Sequence, residues 1–149
     1  MAVPAAVNRL LSLMIDTGQD LRQSTLPANV TGVTVTGAAG ANTKGVYAQI
    51  AASVGANDAL LIGILAVLNA VDEYHIDLAR GAAAAEVNLV TDWPMERQEA
   101  TAVGQNIYHP SFFPFGFFIV NGTRLAADLA TVGGGADTAE VSAIILTGF

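Results

Sequence analysis

The sequence contains no cysteine, and this absence removes three kinds of chemistry. Disulfide frameworks, thiolate metal sites and cysteine nucleophiles all need the sulfur atom. A chain without cysteine tolerates oxidising and reducing surroundings alike, so the absence says little about the compartment. Any catalytic or metal site must therefore use other side chains.

Charged residues are also scarce. They make up 13% of the 149 residues, about half the share of an average globular domain, whereas hydrophobic residues make up 52%. A surface with so little charge must consist largely of small and weakly polar residues, or be covered by a partner. Because large exposed apolar patches usually mark interfaces, this composition indicates assembly.

Positive charge is the scarcest of all. Six basic residues stand against thirteen acidic ones, which gives a formal net charge of −7. Such a chain cannot neutralise phosphates, and an anionic membrane surface repels it. We therefore expect no nucleic acid and no membrane among its partners.

No apolar run is long enough to cross a bilayer, which takes about 20 residues. The longest is Ala59 to Leu68, extended to Val71 by a single Asn. The first residues, Met1 to Val7, lack the basic region of a signal peptide. We expect a soluble protein without an export signal.

From Gly45 onward the chain alternates between large apolar residues and smaller or polar ones. This period of two places alternate residues on opposite faces of a sheet. Turn signals separate the alternating segments. These signals lie at residues 55–58, 80–81, 121–122 and 133–135. Short strands at this spacing predict an all-β sandwich or barrel.

One apolar segment is ambiguous. Asn57-Asp58 followed by ALLIGILAVLNAV is compatible with a capped, buried helix and with one long buried strand. Gly63 and the strand-rich surroundings favour the strand.

We predict a division into an N-terminal arm, residues 1–40, and a sandwich domain, residues 41–149. Val7 to Ile15 is compatible with a short helix or with an extended segment, because Leu10, Leu13 and Met14 fit helical spacing over only a short stretch. Residues 25–40 contain few bulky apolar side chains. The alternative is that they form an ordinary first hairpin of the sandwich.

Five of the six phenylalanines lie in the segment Phe112 to Phe118, FFPFGFF. Pro110 and Pro114 exclude a central strand here, because proline has no N–H group to donate to a neighbouring strand. Two interpretations remain open. The rings either cap one end of the core, or form a hydrophobic edge that docks on a neighbouring molecule.

The stretch from Phe113 to Thr131 joins this proline–aromatic segment to the strand NGTRLA, residues 121–126. It resembles a small jelly-roll-like β-sandwich domain of virion proteins from tailed phages, prophages and gene transfer agents. VYAQIAAS, EYHIDLARGAAAAE and VSAIILTGF are similar to the family's first body strand, middle hairpin and last strand. The likeness covers roughly residues 44–149, and its motifs describe a fold rather than a chemistry.

The resemblance implies an all-β, jelly-roll-like antiparallel sandwich of about eight strands. It implies a non-enzymatic structural protein of the virion, assembled in the host cytoplasm, with no cofactor, no metal and no catalytic residue. Its expected role is that of a capsid decoration or head-spike base subunit. Its expected partners are further copies, as a trimer or pentamer, and a major capsid protein or a fibre or spike protein.

The predicted interface combines the arm, the aromatic segment and one arginine. Arg124 points away from Leu125, where its planar group can pair with a carboxylate of a neighbouring subunit; a solvated arginine at a strand end is the alternative. The predicted interface residues are Leu10, Leu11, Leu13, Met14, Phe112, Phe113, Phe115 and Arg124.

Two further functions are weighed against this one. Asp92 with Trp93, followed by Pro94, is a candidate loop site for a carbohydrate or receptor, with the indole as a platform. Asp16-Thr17-Gly18 after three apolar residues has the local pattern of a retroviral-type aspartic protease half, but no flap is recognisable.

Glu73, His75 and Asp77 share one face of a predicted strand. Alternate residues lie about 7 Å apart, too far to share one metal ion comfortably. We interpret them as a solvated face whose opposite side is core.

Overall fold

The computed structural model describes residues 21–28, 31–98 and 108–148. In these ranges the regular elements are nine strands, and none of the described residues forms a helix that is long and apolar enough to cross a membrane. The strands are β1 (Arg22–Leu26), β2 (Val33–Thr36), β3 (Ala48–Ala51), β4 (Ala59–Leu68), β5 (Glu73–Arg80), β6 (Val87–Glu96), β7 (Tyr108–Ile119), β8 (Leu125–Thr131) and β9 (Thr138–Thr147).

The strands form two antiparallel sheets. Sheet I has the order β1-β9-β4-β7, and β2 pairs with the same edge of β9 as β1 does. Sheet II has the order β3-β8-β5-β6. β1 covers the half of β9 from Ala143 to Thr147, and β2 covers the half from Thr138 to Val141. The two therefore act as one interrupted edge strand.

Counting β1 and β2 as one gives eight strands in nested pairs. The first strand pairs with the last, β3 with β8, β4 with β7, and β5 with β6. A long hairpin with these pairs, rolled so that β9 meets β4 and β8 meets β5, is a jelly roll. The predicted fold class, a jelly-roll-like sandwich of about eight strands, is confirmed.

The sandwich begins earlier in the chain than the sequence indicates. β1 and β2 both lie within the segment predicted as an arm, and both are hydrogen-bonded into sheet I. They do not form a hairpin with each other either. β1 carries no apolar alternation, and the Val–Thr alternation of β2 is only four residues long. Their partner strand, β9, lies more than 100 residues away. Residues 1–20 lie outside the described residues.

The ambiguous apolar segment is a strand, as favoured. β4 lies between β9 and β7 in sheet I. Its inward-facing residues join the core, and most of its outward-facing residues are apolar too. A strand that is apolar on both faces shows no alternation, which is why periodicity could not distinguish it from a buried helix.

The core lies between the sheets and draws on nearly every strand. Tyr74 faces it from β5, and its hydroxyl group accepts a hydrogen bond of 2.8 Å from the amide of Ala70. All seven residues of β8 are buried, so this strand is covered on both faces. The large core residues are Val35, Ile50, Leu61, Ile64, Tyr74, Ile76, Leu78, Ile119, Leu125, Leu129, Val141 and Ile145.

Truncation of Leu129 to alanine should be costly, because the side chain is fully buried in the centre of sheet II. We expect Leu129→Ala to lower the free energy of unfolding by about 2–5 kcal/mol, measured by urea denaturation. Val46→Ala, at a position 88% exposed, should change it by less than about 0.5 kcal/mol. Equal effects of the two changes would contradict this packing.

Candidate interaction surface

β7 is an edge strand that leaves its sheet midway. Leu61 pairs with Phe117 and Gly63 with Phe112, so the four residues 113–116 stand opposite Ile62 alone. This bulge is possible because β7 is the last strand of sheet I, where a proline costs no ladder hydrogen bond on the open side. The expectation that Pro110 and Pro114 exclude a central strand is confirmed.

Gly63 allows the close approach of β7 to β4. A Cβ atom at this position would lie 2.4 Å from the carbonyl oxygen of Ser111 and 3.3 Å from the ring of Phe112. Backbone cannot give way as a flexible side chain can, so only glycine fits. The Phe112 ring therefore lies against the backbone of β4.

The bulge brings aromatic rings across to sheet II. Phe113 packs edge-on against Trp93 of β6, with ring centroids 4.9 Å apart, and its ring lies 5.8 Å from that of Phe117. The indole N–H of Trp93 donates to Ser111 Oγ at 2.9 Å. Since β6 and β7 are the last strands of their sheets, these contacts close one side of the sandwich. We call this region the aromatic edge.

An apolar pocket of about 200 Å³ opens at the aromatic edge. The exposed rim includes Phe115, whose side chain is 60% exposed. Its size suits one apolar side chain. The pocket is lined by Val90, Thr91, Trp93, Phe113, Pro114, Phe115 and Phe117.

The outer face of sheet I is apolar over much of its area. Leu60, Leu65 and Val67 alternate with the inward-facing residues of β4, and Ile144 and Leu146 do the same in β9. Register places Leu146, Leu60 and Phe118 in one row and Ile144, Gly63 and Phe112 in the next. We define the apolar face by Leu60, Leu65, Val67, Pro110, Phe112, Phe118, Ile144 and Leu146; of these, Val67 and Ile144 are buried, and the buried Ser142 lies beside Leu65 on the same face.

A polar border limits the apolar face on the side of β1 and β2. Gln23 pairs with Leu146, and Thr25 pairs with Ile144. Thr34 Oγ1 donates to Glu140 Oε1 at 2.8 Å at the far end of β9. The apolar face is thus a bounded patch that runs from β9 across β4 to β7.

The two interpretations of the phenylalanine segment each hold for part of it. Phe113 and Phe117 are half-buried against the core, while Phe112, Phe115 and Phe118 are at least half exposed. The predicted interface residues of the arm lie outside the described residues, namely Leu10, Leu11, Leu13 and Met14. Their contribution to an interface remains a prediction.

Arg124 pairs with a carboxylate of its own chain. It donates to Glu86 Oε1 at 2.9 Å and to the carbonyl oxygen of Gly81 at 3.1 Å, and its Nε donates to Gln49. Burial opposes the charge of Glu86, but the hydrogen bond and charge of Arg124 together with backbone hydrogen bonds outweigh burial and lower the pKa of that carboxyl group. The arginine fastens the β5–β6 turn to the start of β8, so the predicted pairing is intramolecular.

Asp92 and Trp93 do not form one site. Thr91 and Asp92 stand opposite Asp77 in a bulge of β6, with Asp92 at a φ of 50°. The Asp92 carboxylate lies on the outer face of sheet II, where Lys44 binds it at 2.9 Å. The Trp93 ring points the other way, into the aromatic edge. The expected exposed loop is a strand, and its indole packs against Phe113.

A lysine and three aspartates lie together on the outer face of sheet II. Lys44 Nζ contacts Asp77 at 2.5 Å, Asp92 at 2.9 Å and Asp128 at 3.9 Å. Asp77 also accepts hydrogen bonds from the amide of Asp92 and from Asn88 Nδ2. These bonds join β5, β6 and β8 to the segment before β3. We call this group the Lys44 cluster.

The Lys44 cluster holds more negative than positive charge. Asp77 and Asp128 are direct cross-strand partners and each is 4% exposed. Burial, and then the charge of Asp77, raise the pKa of Asp128 to about 6, while Lys44 offsets part of this increase. Asp128 Oδ1 accepts no hydrogen bond from the described residues. Burial and the charge of Asp128 likewise raise the pKa of Tyr47 to about 12.

The predicted solvated face of β5 is therefore only partly solvated. Glu73 is exposed, and its carboxylate Oε1 lies 3.2 Å from Nε2 of His75. Asp77 is buried, and it is bound by Lys44, which lies 33 positions earlier in the chain. Among the described residues, no three His, Asp or Glu side chains are arranged to hold a metal ion. The proposed protease residues Asp16, Thr17 and Gly18 lie outside the described residues.

No family model matches the chain, and no curated protein matches it. Two chains of solved structures are similar to it over 87% of its length. One is from the structure of the Gx strain of infectious bursal disease virus, with 16% sequence identity and a TM-score of 0.44. The other is from the VP2 subviral particle of that virus, with 14% identity and a TM-score of 0.39. The match covers 33% of each of those chains, so this chain spans about a third of their length.

If Trp93 is a packing element, its hydrogen bond to Ser111 should be measurable in a double-mutant cycle. Trp93→Phe and Ser111→Ala each remove the bond, and we expect a coupling energy of about 1 kcal/mol in urea unfolding. Each single change also alters packing, and the cycle cancels that contribution. A coupling energy near zero would contradict the contact.

Acidification should stabilise the protein through Asp128. The folded-state pKa lies near 6, above the ordinary value of 3.8, so the folded state takes up a proton first as the pH falls. The contribution to stability is full below the ordinary value and is lost as the pH rises through about 6. Asp128→Asn should therefore raise the free energy of unfolding at pH 7.5, by at most about 3 kcal/mol. The gain should shrink below pH 6.

Asp92→Asn is the matched control within the Lys44 cluster. The hydrogen bond and charge of Lys44 lower the pKa of Asp92, so its ionised form stabilises the fold at neutral pH. The change should therefore lower stability at pH 7.5, opposite in sign to Asp128→Asn. Urea unfolding from pH 4.5 to 8 measures both. Parallel pH profiles for Asp128→Asn and the unmodified chain would overturn the assignment.

Proposed function

We propose that the chain is a structural subunit of a virion or virion-like particle, and that it works by assembly rather than by catalysis. The observation that carries the proposal is the aromatic edge. It combines an open apolar pocket with the exposed ring of Phe115, on a chain whose charged residues are few. Aromatic side chains are enriched in the centres of protein interfaces, where charged residues are depleted.

The aromatic edge suits contact with another subunit better than backbone pairing with a further strand. Pro110 and Pro114 remove donors from β7, and the bulge at residues 113–116 twists the strand out of line. Both features discourage strand addition at a sheet edge. This edge offers side chains for contact rather than backbone groups. The pocket of about 200 Å³ can receive one apolar side chain of a neighbour.

A contact between an edge of one copy and a different surface of the next is heterologous, and such contacts generate closed rings when the rotation closes. This agrees with the trimer or pentamer expected from the sequence resemblance. Few charges need to lose water in such an interface, which lowers the cost of association.

Within this role, we favour a capsid decoration or head-spike base subunit that binds a major capsid protein or a fibre or spike protein. The support is the likeness of residues 44–149 to the jelly-roll virion proteins of tailed phages and gene transfer agents, together with the jelly-roll order of the strands. Jelly rolls also serve other functions, so the fold agrees with this role without requiring it.

The native mass of the purified chain tests the proposal. Light scattering should give a discrete multiple of 15.3 kDa, three- or five-fold or a larger ring. Phe115→Ser should shift this mass toward the monomer, because it removes an exposed ring and leaves the core intact.

Val87→Ser is the control, since Val87 is equally exposed, at 59%, but lies at the far end of β6. It should leave the mass unchanged. A monomer at all concentrations, or equal effects of the two substitutions, would argue against assembly through the aromatic edge.

A further inference from the structure

The apolar face of sheet I is a second surface, separate from the pocket of the aromatic edge. In a sandwich the outer face of a sheet normally carries polar residues, because water covers it. Here three half-buried leucines, Leu60, Leu65 and Leu146, lie there with two exposed phenylalanines, Phe112 and Phe118. A contiguous apolar patch of this kind calls for a covering partner.

The dimensions of the face limit what can cover it. Two strand spacings and three steps of two residues give a patch of roughly 10 Å by 20 Å, or about 200 Å². A stable contact between two folded copies buries about 800 Å² on each side. The patch is too small for such an interface alone, but it suits a short chain segment.

The chain carries a segment of the required character just before the face. Residues 1–20 lie outside the described residues, and among them Leu10, Leu11, Leu13, Met14 and Ile15 form a dense apolar group. Val7 to Ile15 as a helix would be about 14 Å long and about 10 Å wide. Those dimensions match the face. In the described part of the chain away from β7, the other large apolar residues that are exposed are single valines.

β1 follows this segment in the chain and lies at the edge of the apolar face. Gln23 lies beside Leu146, at the corner of the face, and the same row continues through Leu60 to Phe118. Seven residues separate Ile15 from Gln23, and the eight Cα-to-Cα steps can span about 27 Å when extended. The farthest corner of the patch, near Val67, lies about 22 Å from Gln23.

A short tether also favours the chain's own segment over that of another molecule. Linkers of this length give effective concentrations in the millimolar range, far above the concentration of a second copy in solution. We propose that residues 7–15 dock on the apolar face of their own chain through Leu10, Leu13 and Met14. This proposal goes beyond the structural role and does not depend on it.

Cross-linking of introduced cysteines tests the proposal, because the natural chain has no cysteine to interfere. In the full chain, Leu13→Cys combined with Phe112→Cys should be joined within one molecule by a short bis-maleimide reagent. Leu13→Cys with Val87→Cys is the control, since Val87 is as exposed as Phe112 but lies on sheet II. We expect at least ten times less cross-linking in the control.

Each outcome decides the matter. Fast intramolecular cross-linking with Phe112→Cys alone supports the proposal. Cross-links found only between molecules would overturn it in favour of the segment of a second copy. Equal cross-linking of both pairs, or none, would overturn it and leave the face to another partner.

A second measurement covers the case in which the cysteine pair disturbs folding. Deletion of residues 1–20 should increase binding of a dye specific for exposed apolar surface several-fold, and Leu10→Asp with Leu13→Asp should have the same effect. Val3→Asp should not. The deletion must stop at residue 20, because removal of residues 1–40 would take β1 and β2 out of sheet I.

These measurements can fail independently of the native mass. A monomer with the segment docked would contradict the structural role alone. A ring without the cross-link would contradict the docking alone.

Discussion

The fold depends on the backbone pairing of β9, the last strand. One edge of β9 is hydrogen-bonded to β1 and β2, and the other edge to β4 over nearly its whole length. Arg22 thus pairs with Thr147, across almost the full chain. Sheet I cannot close until β9 is present. Pairings this distant in sequence close large loops, which makes a topology of this kind slow to fold.

This central position gives β9 and β4 two faces to cover. Their inward faces meet sheet II and form the core, while Leu60, Leu65 and Leu146 remain on the outer face. The chain thus has more apolar residues than one core can bury, which agrees with the high hydrophobic content of its sequence. The aromatic edge has a related origin, because the bulge in β7 turns some rings inward and leaves Phe115 exposed.

Several of the few charged residues pair with each other within the fold. Lys44 holds Asp77, Asp92 and Asp128 together, and Arg124 holds Glu86. Burying ions is costly unless they are paired and hydrogen-bonded, and Asp128 is the member for which pairing is incomplete. With these charges committed to internal contacts, still fewer remain to keep the outer surface polar. The scarcity of charge and the apolar surfaces are therefore linked.

The sequence by itself determined the local structure of much of the chain. Alternation predicted the face of β5 that carries Tyr74, Ile76 and Leu78 into the core, and the turn signal at residues 80–81 predicted the end of that strand. Period and turn chemistry act over a few residues, so they can be recognised in one segment at a time. They failed for β1, whose residues carry no apolar alternation, and for β2, whose Val–Thr alternation is only four residues long.

Only the tertiary structure decided which distant residues meet. Lys44 reaches Asp77 from 33 residues away, Arg124 finds Glu86 within its own chain, and Trp93 turns from its neighbour Asp92 to bind Ser111. Each contact follows from the register and bulges of strands far apart in the chain. A shift of one residue in a strand moves every side chain to the opposite face. No local pattern encodes that register, because it is set when the two sheets pack.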